Sequence, residues 1–150
     1  MKILLAVDDS QFSQAAIQSV LHTARPQETE VRVLHVLEPI EPIFTSPETP
    51  TWTALPVYAE MMEQRRQHAT ELVKRAAESL KAAGFKVCSY AVEGGIPKLT
   101  IVDEAKRWGA DLIVLGSHGR TGLDRFLLGS VSEAVARHAA CSVEIVRPPA

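Results

Sequence analysis

VLGSHGRTGLDRFLLGS, residues 114–130, carries the reading of the fold. An apolar strand ends in Gly116; Gly119 follows after two residues and Gly129 after nine more, next to Ser130. VSEAVARHAA then begins a helix. Glycine lets a backbone approach a ligand closely, and the free amides of a helix N-terminus suit an anion. Strand, glycine loop and helix start, in that order, read as a phosphate cradle with a nucleotide as its expected ligand.

The rest of the chain alternates strand and helix signals in the same way. Apolar runs at 3–7 (ILLAV), 31–37 (VRVLHVL), 86–92 (KVCSYAV), 111–116 (DLIVLG) and 142–146 (SVEIV) predict five strands. A first helix follows Asp9-Ser10, with Ala16, Val20, Leu21 and Ala24 at helical spacing. A second is expected from about Tyr58 to Ala83, stopped by Gly84; a third opens at Pro97 and closes before Gly109; the last starts at Ser130. Such alternation implies an α/β fold: a single doubly wound, five-stranded parallel sheet with helices on both faces.

Polarity orders the strands. ILLAV and LIVL are unbroken apolar runs, as strands buried on both faces require, whereas KVCSYAV is more polar and suits an edge. The expected order is therefore 3-2-1-4-5 rather than 2-1-3-4-5. The winding then reverses between strands 1 and 4, and ligands of such sheets lie beyond the carboxyl ends at that reversal. Asp8 closes strand 1 and Gly116 closes strand 4, so the acidic residue and the glycine loop meet at the expected crevice.

The bulk numbers bound the alternatives. The 150 residues read as one nucleotide-binding domain, 46% hydrophobic and 23% charged. A net charge of −2 argues against a nucleic-acid partner. No apolar stretch reaches the roughly 18 residues of a membrane span, and residues 3–7 are too short for a signal-peptide core. Cys88 and Cys141 have no metal or redox spacing and read as packed small hydrophobes in a cytoplasmic protein. Residues 38–57, EPIEPIFTSPETPTWTALPV, break the pattern with five of the nine prolines. They are expected to form a structureless connection, either a flexible insert or a lid over the crevice.

Neither a Walker lysine motif nor G-x-G-x-x-G is present. The spacing Gly116-x-x-Gly119, nine residues, Gly129-Ser130 instead resembles the nucleotide-binding signature of the universal stress protein family. KILLAVDDS at the start, LHV at 34–36, GSHGRTG in the loop and GSVSEAV at the last helix resemble that family too. The likeness covers the chain apart from 38–57. It implies ATP in the crevice, with Mg²⁺ or Mn²⁺ held mainly through the phosphates, and a homodimer. It matches Asp8 to the aspartate near the ribose, and Val36 to the residue whose backbone meets adenine. Gly116 and Gly119 match the loop glycines that approach ribose and phosphates; Gly129, Ser130 and Val131 match the phosphate-binding turn. Ser142, where many members have proline, and Glu144, where an apolar residue is usual, depart from the family. The strand that carries Glu144 is one through which family dimers often pair, and a glutamate on an edge strand discourages pairing.

Several residues have a plainer reading beside the functional one. Ser130-Val131-Ser132-Glu133 is a capping box, which a phosphate site can share with the same helix end. Asp8 could cap the first helix. Arg120 is a candidate to neutralise phosphate, Arg125 a weaker one; a solvated arginine is the commoner case for both. His118 reads as packing against the loop, His35 as a hydrogen-bonded core histidine, and Trp108 as core. Trp52, in the 38–57 segment, is a weak candidate to touch a ligand or partner.

The leading functional reading is an ATP-binding regulatory protein, read by an unknown protein partner. The glycine loop has no lysine and no assigned base stands opposite it, so slow hydrolysis is the most expected of it. Alternatives are a dimeric interaction module with a vestigial pocket, a true ATPase, and a phosphoacceptor receiver domain. The last lacks an aspartate after strand 3 and a lysine after strand 5, where Glu93 and Arg147 stand.

Overall fold

A computed structural model describes residues 1–40, 51–119 and 127–149. Its elements run β1 (Lys2–Ala6), α1 (Gln11–Thr23), a 3-10 turn (Pro26–Glu28), β2 (Glu30–Leu37), α2 (Thr51–Ala82), β3 (Lys86–Glu93), α3 (Pro97–Trp108), β4 (Leu112–Gly116), α4 (Ser130–His138) and β5 (Ser142–Val146). The five strands are all parallel and lie in the order β3-β2-β1-β4-β5, the order that polarity predicts. β1 is central, with Leu4 facing Arg32 of β2 on one side and Ile113 of β4 on the other.

Right-handed crossovers make the winding visible in the layers. α1 and α2 link strands stepping one way along the sheet and pack on one face. There Ile3, Leu5, Val31, Val33 and Val114 meet Ile17 and Val20 of α1 and Leu72, Val73, Ala76 and Leu80 of α2. α3 and α4 cover the other face, where Leu4, Leu34, Ile113 and Leu115 meet Ile101, Ala105 and Val135. Successive strand residues point to opposite faces, so β1 can feed both cores only if it is apolar throughout.

Helix ends follow local chemistry. Ser10 caps α1, its side chain accepting from the Ser13 N–H. Pro97 opens α3, and Gly109 ends it in the left-handed conformation at φ 70°. α2 differs from expectation: it starts at Thr51, not Tyr58, and contains Pro56. Residues 51–57 are therefore helical rather than part of a structureless connection. Pro56 has no N–H to donate to the preceding turn, which is why its presence reads as a break. Residues 41–50 lie outside the described residues, and the lid reading lies there with them.

The amino end of the sheet is held by charges that periodicity does not reveal. Glu104 of α3, 3% exposed, pairs with Arg32 of β2 at 2.6 Å and also with Arg107. The Arg32 guanidinium lies 4.5 Å from the centre of the Trp108 ring and the Lys2 ammonium 5.4 Å from it. Trp108 is thus partly buried, packed on the α3–α4 core and covered by cations. Cys88 is exposed rather than packed, because β3 is an edge strand. Cys141 is half-buried, and desolvation raises its thiol pKa above the ordinary value. On β5, Glu144 is not an open charge: it accepts a hydrogen bond from Ser19 of α1.

Candidate functional site

The crevice forms where β1 and β4 part. Beyond β1 the chain stays tied to β2: the Val7 N–H donates to the Leu34 carbonyl at 2.9 Å, and the Val7 carbonyl lies 2.8 Å from His35 Nδ1. A carbonyl only accepts, so His35 carries its proton on Nδ1. His35 is a hydrogen-bonded, half-buried histidine, close to the expected core role.

Asp8 follows and is anchored to α1. Its Oδ1 accepts hydroxyl protons from Ser10 at 2.5 Å and Ser13 at 2.7 Å, and its N–H donates to Ser13 Oγ at 2.8 Å. The helix cap itself is Ser10, whose Oγ accepts the Ser13 N–H at 3.2 Å. Asp8 is therefore held by the cap rather than being it. Asp9 is exposed, 3.1 Å from His68 of α2.

On the other side, Ser117 continues from β4 fully buried, its N–H donating to Val146 of β5 at 2.8 Å. The Ser117 carbonyl accepts the Gly129 N–H at 2.8 Å, and the Ser132 hydroxyl lies 2.8 Å from it and 2.9 Å from the Gly129 carbonyl. These bonds stitch the two described ends of the glycine loop together. His118 packs as expected, its ring 5.1 Å from that of Phe12 and its Nδ1 3.1 Å from Ser117 Oγ.

The capping box does not form. Gly129 holds the extended cap position (φ −64°, ψ 152°), Ser130 is already the first helical residue, and no side chain caps the end among the described residues. Glu133 pairs with Arg137 at 2.8 Å. The helix starts one residue earlier than a box needs, with Gly129 rather than Ser130 in the cap position. Ser130, Val131 and Ser132, the first turn of that helix, line the crevice, and no side-chain hydrogen bond caps the helix start among the described residues.

The three signature glycines do different work. A Cβ on Gly116 would lie 2.6 Å from Phe12 Cβ and 2.8 Å from the Phe12 carbonyl carbon, so α1 crosses the strand end at a distance only glycine allows. A Cβ on Gly129 would meet the Ser117 carbonyl oxygen at 3.1 Å and His118 Cα at 3.2 Å. At Gly119 the near atom among the described residues is Asp8 Oδ2, at 3.0 Å. At Gly116 and Gly129 an added Cβ would press on backbone atoms, whereas at Gly119 it would press on the Asp8 carboxylate.

The crevice has a volume of about 250 Å³ and is lined by Asp8, Val36, Gly116, Gly119, Gly129, Ser130 and Val131. Every predicted site residue except Arg120 is therefore gathered there; Arg120 and Arg125 lie outside the described residues. Sequence reasoning missed Ser13 and Ser132, which also line it, and Pro97 and Ile101 of α3. The spacing Asp8-x-Ser10-x-x-Ser13 was the available signal for the first. No lysine or arginine is among the described lining residues. The site pairs an acceptor-only carboxylate with donor amides at a helix start, over an apolar floor of Ala6, Leu34 and Leu115. A ligand that suits it has hydroxyl donors at one end and negative charge at the other.

Comparison with known proteins places the whole chain in a family and a fold. Residues 1–147 match the family described as the universal stress protein family. A universal stress protein of Methanocaldococcus jannaschii is 34% identical over 148 residues, covering 99% of this chain and 82% of that protein. The solved structure of a universal stress protein from Lactobacillus plantarum aligns with TM-score 0.78 at 29% identity, covering 98% of this chain and 97% of that one. A family protein from Arabidopsis thaliana, solved with AMP bound, shares the fold at TM-score 0.70 and 21% identity, covering 100% and 93% of the two chains.

Proposed function

This chain belongs to the universal stress protein family, and we propose that it is an ATP-binding regulatory protein whose nucleotide lies in the crevice between β1 and β4. One observation carries the reading. Asp8, Gly119 and the uncapped start of α4 line one cavity of about 250 Å³, with a Cβ on Gly119 falling 3.0 Å from Asp8 Oδ2. In this arrangement Val36 meets adenine, Asp8 holds the ribose, and Gly116 and Gly119 admit ribose and phosphates. Gly129, Ser130 and Val131, with Arg120, take the phosphate charge. The AMP-bound Arabidopsis structure supports an adenine nucleotide as the ligand class.

Among the described residues no group of three or more His, Cys, Asp or Glu is placed to hold a metal. Mg²⁺ or Mn²⁺ would accordingly ride on the phosphates. The crevice offers no lysine among its described lining residues, which suits a nucleotide held as a ligand more than one rapidly turned over. Its binding would change shape or stability, to be read by a protein partner, and the working unit is a homodimer of this one domain. No helix among the described residues is long and apolar enough to cross a membrane.

Calorimetric titration with ATP and Mg²⁺ tests the reading, on protein first acid-extracted to remove carried-over nucleotide. Gly119→Val is the appropriate control, because its side chain would fill ligand space beside Asp8 rather than press on backbone as at Gly129. The expected result is micromolar binding by the natural protein and none by Gly119→Val, with an unchanged far-UV spectrum. Absence of binding by verified empty natural protein would refute the proposal and leave the interaction module in its place.

A further inference from the structure

We propose that Ser13, a buried residue of α1, is a positioning residue that makes the Asp8 carboxylate a one-oxygen acceptor for a ribose hydroxyl. The inference rests on the nucleotide reading above. Ser13 is 3% exposed, yet its hydroxyl touches Asp8 twice: it donates to Oδ1 at 2.7 Å and accepts the Asp8 N–H at 2.8 Å. Side chain and backbone of Asp8 are thereby clamped to the same oxygen. Ser10 adds a second hydroxyl to Oδ1 at 2.5 Å, while its own Oγ caps Ser13. Oδ1 is fully engaged.

Oδ2 is the opposite case. No described residue donates to it, and it stands 3.0 Å from where a Cβ on Gly119 would be, on the crevice side. An ionised carboxylate only accepts hydrogen bonds, so the open oxygen repels phosphate and selects a donor. The sugar hydroxyls are the donors a nucleotide carries next to its phosphates, and the phosphate-binding α4 start lies across the same crevice. Removing the Ser13 hydroxyl would free the carboxylate to rotate and would leave the Asp8 N–H without its acceptor. The contact to the sugar would then lose its preset direction.

The test compares ATP with 2′-deoxy-ATP and 3′-deoxy-ATP by calorimetry on natural protein, Ser13→Ala and Ser13→Thr, each checked for folding by circular dichroism. Natural protein is expected to prefer ATP over at least one analogue by about tenfold, the size of one charged hydrogen bond. In Ser13→Ala, ATP affinity falls by about tenfold toward that of the analogue, whose own affinity holds, and the preference disappears. Ser13→Thr keeps the hydroxyl and the preference. Should Ser13→Ala not fold, Ser10→Ala removes one of the two donors to Oδ1 and is expected to show an intermediate preference. Equal weakening of ATP and both analogues in Ser13→Ala would overturn the proposal, making Ser13 merely structural. So would natural protein that binds nucleotide with no preference. Natural protein that binds no nucleotide at all would overturn the crevice reading, and this inference with it, a result distinct from the other two.

Discussion

α1 and α4 both begin at the crevice, yet their first turns are built in opposite ways. α1 starts on Ser10, whose hydroxyl accepts the Ser13 N–H and binds Asp8 in the same network. α4 starts on Gly129, which has no side chain to offer. A helix start is a set of unpaired donors that something must satisfy. At α1 the protein satisfies them with its own side chain and spends the remainder on orienting a carboxylate. At α4 it leaves them for water or an anion, and Gly129 makes the close crossing with Ser117 and His118 that glycine permits. One helix end is structural support, and the other is the proposed phosphate site.

The contrast can be attacked at four places. The largest expected effect is at Gly116, which sets the spacing between α1 and the glycine loop. Gly116→Ala places a Cβ 2.6 Å from Phe12 Cβ and should cost about 3 kcal/mol, the upper range for overpacking, read as a fall in the urea midpoint at constant m. An unchanged midpoint would mean α1 can slide and the crevice is not rigidly built. Next, Gly129→Asp converts the α4 start into one of the α1 kind and adds a negative charge. ATP affinity should fall by about 100-fold or more, about 2.7 kcal/mol, because the new carboxylate takes the amides and repels phosphate. Calorimetry that finds full affinity in this variant would place the phosphates elsewhere.

Ser10→Ala removes a cap and one of two hydroxyls on Asp8, and should cost about 1–2 kcal/mol in denaturant melts. A loss below a few tenths would mean that Asp8 or water replaces the cap. The smallest effect belongs to Glu133. Were a capping box present, its removal would cost as much as a cap. Since Glu133 pairs with the exposed Arg137 at the surface, Glu133→Ala should shift stability by about 0.5 kcal/mol or less, and salt should reduce that further. A shift near 1 kcal/mol or more would restore the box.

Most of the architecture was legible before any coordinates. The unbroken apolar runs of β1 and β4 and the mixed run of β3 predicted both the strand order and the reversal point, since burial on both faces leaves no room for alternation. Asp8 and Gly116 at the crevice follow from the same argument, since strand ends are local and parallel order sets which ends adjoin, whereas Val36 and Val131 rest on the family resemblance. What failed was finer. The serine and glutamate of a capping box are present, but the end of the loop sets the α4 start one residue ahead of the box, at Ser130. Prolines hide the first turns of α2 because a proline is usually excluded from a helix interior, yet Pro56 stands inside this one. Cys88 was misread because exposure on an edge strand depends on what lies beyond the sheet.

Pattern along the chain therefore settled the element types, the sheet order and the location of the crevice, because these follow from local burial periodicity and from the handedness of crossovers. Three-dimensional packing settled which groups are already committed and which remain open. Gly116 lines the crevice and also makes way for Phe12. Ser13 looks like any helical serine but clamps Asp8 from five residues away. Glu104 looks like a solvated helix residue but is buried between two arginines. Each outcome depends on distances between segments remote in sequence, or on rotamers selected by neighbours, and a one-dimensional pattern contains neither.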